Sequence, residues 1–122
     1  RTYNIIEEIN SDTDKDTSRM MRAGAHKVYY VQSEKEYLQK AFNDFEKIVD
    51  NNTLIICESN GLRDIILPGL FLVVRNTNKP DVKESAINKL QIADELVISD
   101  GQKFSLVPES INVSDGKWFL SK

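Results

Sequence analysis

An unbroken apolar run occupies residues 54–57, with Thr53 before it and Glu58 directly after it. A polar turn that contains Gly61 follows. A short run of this kind between turn signals predicts a strand at residues 53–57 that is buried on both faces, as in a parallel sheet. Ligands of open α/β sheets bind where such strands end. The sequence therefore predicts that Glu58 lies at that edge, where an acid can hold a nucleotide's metal ion or orient water.

The rest of the chain alternates predicted strands and helices. The strands are predicted at residues 3–9, 25–31, 70–75 and 95–99, and the helices at residues 14–22, 34–50 and 80–93. Asp12 or Asp14 is expected to cap the first helix and Gly24 to end it, while Ser33 and Glu36 form a capping box for the second.

This order predicts an α/β fold with a mainly parallel sheet and flanking helices. The length of 122 residues predicts a single domain over residues 1–122. Residues 101–122 are expected to form a short β-like tail, with strands near 104–107 and 117–120. Asp115 and Gly116 suit a turn within that tail.

Composition excludes several classes of protein. The net charge is −3 and no run of Lys or Arg exceeds two residues, which argues against a nucleic-acid partner. No apolar run approaches the roughly 18–20 residues of a membrane span. Cys57 is the single cysteine, which rules out an intrachain disulfide and favours a reducing, cytoplasmic location.

Two groups of polar residues are candidates for a binding site. Ser59, Asn60 and Arg63 follow Glu58 and could surround a bound nucleotide or its Mg²⁺, although a polar strand end entering a loop has the same pattern. Residues 12–19 mix acids, bases and hydroxyls at a predicted helix start, where an anion is favoured. Lys15 and Arg19 could contact phosphate there; the alternative is a capped, solvated helix start.

Other candidate residues carry weaker signals. His26 at a strand entrance is more often structural or exposed than catalytic, and Cys57 within an apolar run is expected to be a small buried side chain. No G-x-x-x-x-G-K-[ST] loop occurs, and the glycines are scattered. These residues alone therefore lack a phosphate-cradling loop.

Two of these runs resemble a known family. Residues 15–25, K-D-T-S-R-M-M-R-A-G-A, resemble the G-K-D-[ST]…A-G-A segment of the P-loop proteins of molybdopterin-guanine dinucleotide biosynthesis, the MobB-like group. Residues 54–62, L-I-I-C-E-S-N-G-L, are similar to that group's second signature, in which an apolar strand ends in Glu followed by Gly. The chain departs from the pattern at Asp14 and Ser59, where better-known members have Gly.

The resemblance implies a P-loop NTPase-like fold whose first strand and phosphate loop would precede Arg1. We expect that the fold is incomplete at its N-terminus; the alternative is a degenerate relative that binds no nucleotide. It also implies binding of GTP, with ATP as the other candidate, together with Mg²⁺, and at most weak GTP hydrolysis. Glu58 would take the acidic position near the metal or the attacking water, and Lys15, Asp16 and Thr17 would lie near the nucleotide. A molybdenum-cofactor biosynthesis enzyme is the implied partner.

Two alternatives of other classes stay open. The first is a noncatalytic α/β adaptor or small-molecule-binding module that does not hydrolyse nucleotide. The second is a structural domain whose edge strands pair between chains, which would give a homodimer. Nucleotide titration would separate the first alternative from an NTPase, and a measurement of size in solution would separate the second.

Overall fold

A computed structural model describes residues 2–78 and 88–121 of the chain. These residues form two compact units, Arg1–Thr53 and Leu54–Lys122. Two compact units can belong to one domain, so the single domain over residues 1–122 stays a prediction.

The first unit is a two-stranded antiparallel sheet with two helices. Its elements are β1 (Tyr3–Glu7), α1 (Asp16–Arg22), β2 (Tyr29–Ser33), a 3₁₀ turn (Lys35–Tyr37) and α2 (Leu38–Ile48). In the antiparallel register Tyr3 lies opposite Ser33 and Glu7 opposite Tyr29. The strand predicted at residues 3–9 is confirmed, and the one predicted at 25–31 forms later in the chain, at β2.

Helix α2 packs its apolar side against β1 and β2. Ala41 is fully buried, and the ring of Phe45 meets that of Tyr29 edge to face at 5.5 Å. The helix predicted at residues 34–50 is thus confirmed, because its apolar stripe has a sheet to cover. The capping box is wrong: the Ser33 hydroxyl donates to the Glu34 carbonyl at 2.8 Å, and no side chain caps the helix start.

The sequence predicted the end of helix α1 correctly but not the residue that caps its start. Lys15 is the N-cap residue and no side chain caps the first turn, so the predicted caps Asp12 and Asp14 are wrong. Gly24 ends the helix as predicted, with φ of 110° and its N–H donating to the Met21 carbonyl at 3.0 Å. A left-handed residue at this point is the usual helix stop.

The second unit contains two further two-stranded sheets. Its elements are a 3₁₀ turn (Leu62–Asp64), β3 (Leu72–Asn76), β4 (Glu95–Ser99), a second 3₁₀ turn (Pro108–Ser110), β5 (Ile111–Ser114) and β6 (Lys117–Leu120). Strands β3 and β4 are parallel, and β5 and β6 form an antiparallel hairpin. Asp115 and Gly116 both have positive φ, as a type I′ hairpin turn requires.

The predicted fold class is wrong. The described residues form three separate two-stranded sheets, in the orders β1–β2, β3–β4 and β5–β6, and only β3–β4 is parallel. A mainly parallel sheet with flanking helices, and with it a P-loop NTPase-like architecture, is therefore not what this chain adopts. The alternation of strands and helices was a misleading guide because β2 returns antiparallel to β1, and α1 lies in the loop between them instead of crossing over a sheet.

The strand predicted at residues 53–57 is also wrong. Residues 53–59 have no regular secondary structure, Leu54 is exposed, and 77% of Ile56 is accessible to solvent. A strand is stable only where neighbouring strands accept its hydrogen bonds, and no strand among the described residues pairs with this run. Glu58 consequently does not lie at the end of a strand.

The remaining predicted elements have mixed outcomes. The strands at 70–75, 95–99 and 117–120 are confirmed as β3, β4 and β6, whereas the segment 104–107 contributes a single bridge, between Phe104 and Ser99. The helix predicted at 80–93 lies largely outside the described residues. In the part of the chain that is described, no helix has the length and apolar character needed to cross a bilayer.

Candidate functional site

A hydrogen-bonded loop precedes α1 and holds the first predicted group of site residues. Ser18, in the first turn of the helix, is fully buried. Its hydroxyl donates to the Asn10 carbonyl at 2.5 Å and accepts from the Thr13 hydroxyl. Thr13 in turn accepts the Lys15 N–H at 3.2 Å. Because Ser18 satisfies polar groups of the loop from inside the helix, residues 10–15 have one defined path across the start of α1.

Arg22 fixes the same loop from the last turn of the helix. Its guanidinium donates to the carbonyl of Thr13 at 2.8 Å and to that of Ser11. These two charge-assisted hydrogen bonds from the Arg22 side chain restrain the loop against the end of α1. We call residues 10–15, together with Ser18 and Arg22, the loop platform.

The loop platform presents three predicted site residues to solvent. Lys15, Asp16 and Arg19 are exposed, and the carboxylate of Asp16 lies 3.8 Å from the guanidinium of Arg19. An exposed pair at this spacing contributes little to stability. These side chains are therefore placed at the start of α1 with their charges accessible to a ligand.

Thr17 has a different environment from its neighbours. Its hydroxyl donates to Oε1 of Glu8 at 2.6 Å, and this hydrogen bond is the main reason that the pKa of Glu8 lies below its ordinary value. The positive charge of Lys15 lowers the pKa of Glu8 further. Glu8 is thus a further member of this group that the sequence did not indicate, since eight residues lie between it and Thr17 along the chain.

The second predicted group, Glu58, Ser59 and Asn60, surrounds a turn. The Ser59 hydroxyl accepts the N–H groups of Leu62 at 3.1 Å and Gly61 at 3.3 Å, and so starts the 3₁₀ turn that follows. Glu58 and Asn60 are exposed. The role of Ser59 is thus structural at this point, whereas the carboxylate of Glu58 is accessible to a ligand from solvent.

Two side chains beyond Ser59 make contacts within the second unit that the sequence did not predict. The guanidinium of Arg63 lies over the Phe71 ring at 5.8 Å and donates to the Ile66 carbonyl at 3.3 Å. Asp64 forms an ion pair with Lys89. Because 25 positions separate these two residues, no local pattern could have paired them.

The two predicted groups belong to different compact units. Lys15, Asp16, Thr17 and Arg19 are in Arg1–Thr53, and Glu58, Ser59 and Asn60 are in Leu54–Lys122. Within the described residues, no group of three or more His, Cys, Asp or Glu side chains could hold a metal ion. Glu58 therefore offers a single carboxylate, which suits Mg²⁺ only where nucleotide phosphates and water supply the other ligands.

The remaining candidates are His26 and Cys57. Cys57 is exposed, so its predicted place as a small buried side chain is wrong. Surrounding atoms still desolvate its sulfur in part and raise the pKa of the thiol. A raised pKa leaves less thiolate near neutral pH, which is the opposite of what a nucleophilic cysteine requires. His26 is exposed at the approach to β2.

A shallow depression of about 350 Å³ lies in the first unit. It is lined by Tyr3, Ile5, Asp44, Lys47 and Ile48. The Tyr3 hydroxyl donates to the Asp44 carboxylate, and the Lys47 ammonium lies 3.7 Å from the same group. None of the predicted site residues lines this depression, so it offers no support for a nucleotide site.

Comparisons with protein-family models, curated proteins and solved structures find no match to this chain.

Proposed function

We propose that the chain contributes to binding of a purine nucleotide, GTP or alternatively ATP, with Mg²⁺, in a cytoplasmic protein of molybdenum-cofactor biosynthesis. The observation that carries the proposal is the loop platform. It fixes the path of the backbone into α1, where Lys15, Asp16 and Arg19 are exposed, within the run that resembles the nucleotide-associated segment of the MobB-like group. An enzyme of the same biosynthesis would be the partner.

The proposed roles follow from the charges that each residue offers. Lys15 and Arg19 would contact phosphate oxygens, because ammonium and guanidinium groups form charge-assisted hydrogen bonds with them. Asp16, paired with Arg19, would orient that guanidinium, and the Thr17 hydroxyl would hold Glu8 beside Lys15. Glu58, with Ser59 and Asn60 beside it, would bind Mg²⁺ or orient water.

We expect the chain to bind the nucleotide weakly, because its 122 residues contain no glycine-rich phosphate loop. Hydrolysis, where it occurs, would be slow, since phosphoryl transfer depends on positioning and on charge stabilisation around the phosphates. The proposal concerns contacts to the nucleotide and does not depend on the sheet architecture that the sequence predicted.

The first test removes the two exposed cations of the platform. We expect Lys15→Ala with Arg19→Ala to weaken GTP binding tenfold or more, since each charge-assisted hydrogen bond contributes about 1.5–3 kcal/mol. Calorimetric titration with GTP and ATP in the presence of Mg²⁺ measures this. The matched control is Lys35→Ala with Lys103→Ala, which removes the same charge from two exposed sites elsewhere. If both double variants weakened GTP binding equally, the cause would be the loss of overall positive charge, and the proposed site would be contradicted.

The second test concerns Glu58. Replacement of Glu58 by Gln keeps the size of the side chain and removes its charge, so we expect the Mg²⁺ dependence of nucleotide binding to weaken and any phosphate release to fall. Glu109→Gln, at another exposed carboxylate of the same unit, is the control. If Glu58→Gln changed neither nucleotide binding nor phosphate release, the proposed role of Glu58 would be wrong.

A noncatalytic binding module is the second candidate. It is favoured by the exposed apolar side chains of the parallel sheet, Val74, Leu96 and Ile98, which suit contact with another protein. It predicts no phosphate release under any condition and no response of binding to Glu58→Gln. Phosphate release that depends on Glu58 would exclude it.

A further inference from the structure

The parallel sheet β3–β4 has one open edge, which the hydrogen bonds at its ends identify. The Asp94 N–H donates to the Phe71 carbonyl at 2.8 Å, and the Thr77 N–H donates to the Ser99 carbonyl at 2.9 Å. Backbone groups of a strand alternate in direction, so the odd-numbered residues of β3 face β4. The backbone groups of the even-numbered residues point away from β4; these residues are Leu72, Val74 and Asn76.

The chain itself occupies part of the opposite edge of the sheet, at Ile98. The Ser105 N–H donates to the Ile98 carbonyl at 2.8 Å, and the Ser105 hydroxyl accepts the Ile98 N–H at 2.8 Å. A bridge between Ser99 and Phe104 continues this contact. Among the described residues, no backbone group donates to or accepts from the outer edge of β3. The outer edge of β3 is thus the more open of the two edges in the part of the chain that is described.

The side chains at this open edge are apolar. Val74 and Val97 are register partners on one face of the sheet, yet Val97 is 4% exposed and Val74 is 58% exposed. On this face Val97 is thus covered, whereas its register partner Val74 is not. A two-stranded parallel sheet is rarely stable alone, because parallel sheets normally have both faces and more strands buried. Strand β3 has no proline and a single charge, Arg75, to block pairing.

We propose that two copies of this chain associate through β3, in an antiparallel pair whose two-fold axis passes beside Val74. A two-fold axis normal to the sheet makes the same strand antiparallel to its copy, and the contact closes on itself. In this register Val74 lies opposite the partner's Val74, and Leu72 lies opposite the partner's Asn76. Each of these pairs exchanges N–H and C=O groups that point outward in a single chain.

The charges also permit this pairing. Arg75 lies opposite the partner's Val73, so no like charges face each other across the strands. The two Val74 side chains lie side by side on one face and shield each other from water. The product is a four-stranded sheet in the order β4–β3–β3–β4, in which residues 104–105 occupy each outer edge at Ile98. This inference is independent of the proposed nucleotide site.

Sedimentation velocity over a range of protein concentrations tests the proposal with the full chain. We expect a species of twice the mass of one chain at high concentration. Val74→Pro removes an N–H that points away from β4, so the β3–β4 hydrogen bonds are retained while the dimer loses two intermolecular bonds, one from each copy. Val74→Lys places charges opposite each other at the centre of the contact. Both variants should be monomers at concentrations where the wild type is a dimer.

A lysine elsewhere in the same unit is the control. Val113, on β5, is partly exposed like Val74, and Val113→Lys should leave the dimer intact. A wild-type chain that stays monomeric at every concentration would overturn the proposal, as would a Val74→Lys variant that dimerises like the wild type.

Amide hydrogen exchange of the wild type gives a second readout that does not depend on any variant folding. The amides of Leu72, Val74 and Asn76 should exchange slowly at high concentration and faster on dilution. Slow exchange that does not change on dilution would show that another segment of the same chain covers this edge, and would also overturn the second copy as its occupant.

Discussion

Asp44 shows how a few neighbours set the charge of one side chain. The hydrogen bond from the Tyr3 hydroxyl is the main reason that the pKa of Asp44 lies below its ordinary value, and the positive charges of Lys47 and Lys40 lower it further. Tyr3 is on β1 and Asp44 on α2, so this contact joins the helix to the sheet. A carboxyl whose pKa is lowered on folding stabilises the fold above its ordinary pKa, and this contribution is lost as the pH falls through the lowered value.

The prediction at this scale is that Tyr3→Phe raises the pKa of Asp44. The pKa should stay below the ordinary aspartate value, because the lysine charges remain. The stability that Asp44 contributes should then be smaller than in the wild type, and its loss in acid should be complete at a higher pH. An NMR titration of the Asp44 side-chain carboxyl carbon measures the shift directly.

The matched variant for this experiment is Tyr30→Phe, which removes a hydroxyl from an exposed tyrosine on β2. It should leave the titration of Asp44 unchanged. If Tyr3→Phe also left it unchanged, the hydrogen bond would not be the cause of the lowered pKa.

Among the elements, α1 is held to the chain by polar contacts more than by apolar packing. Ser18 is its buried side chain, and it bonds both to Asn10 and to Thr13. A helix of seven residues is too short to be stable alone in water. Its stability must therefore come from contacts with the loop platform.

We predict that Ser18→Ala destabilises the first unit by about 1–3 kcal/mol, because the Asn10 carbonyl and the Thr13 hydroxyl lose their partner in two part-buried hydrogen bonds. Urea unfolding followed by circular dichroism measures the change. Ser114→Ala, at an exposed serine of the second unit, should change stability by less than about 0.5 kcal/mol. An unfolding midpoint shared by Ser18→Ala and the wild type would show that the loop is held by other contacts.

The elements also differ in how far the sequence predicted them. Strand β4 and helix α2 were predicted closely, because β-branched residues in the first and an amphipathic stripe in the second match surfaces that the fold covers. The run at 53–57 has the strongest local pattern of all and forms no strand. Periodicity reports only which side chains are apolar, while a strand also requires a partner for its backbone.

At the scale of the whole molecule, little apolar surface is fully buried. The buried apolar side chains among the described residues are Val28, Ala41, Leu62 and Val97. Several large apolar side chains are instead mostly exposed, including Ile9, Ile56 and Leu67. Exposed apolar surface of this extent marks contact with other molecules or a tendency to aggregate.

Leu62 and Leu67 allow a direct test of which apolar side chains are buried and which are exposed. They are the same residue type, five positions apart in one unit, but Leu62 is 8% exposed and Leu67 is 83% exposed. We predict that Leu62→Ala costs about 2–5 kcal/mol of stability, whereas Leu67→Ala changes it by less than about 0.5 kcal/mol. Chemical denaturation of the two variants measures both values, and similar losses in the two would contradict the observed burial.

The candidate site could be predicted only in part. A charged, hydroxyl-rich helix start was enough to place Lys15, Asp16 and Arg19 on an accessible surface, because α1 begins where the pattern indicates. The hydrogen bond from Thr17 to Glu8 and the ion pair of Asp64 with Lys89 could not be found in this way. Each of these contacts depends on the tertiary structure, which brings together residues that are separated along the chain.

The sequence by itself determined the features that act over a few residues: the amphipathic face of α2, the glycine that ends α1, and the Asp115–Gly116 turn between β5 and β6. Their causes are local, since helical spacing and a positive φ involve only neighbouring positions. Only the tertiary structure decided which strands pair, in which direction, and that residues 53–57 pair with no strand in the part of the chain that is described. Pairing depends on which distant backbone groups meet, and the order of residues does not reveal that.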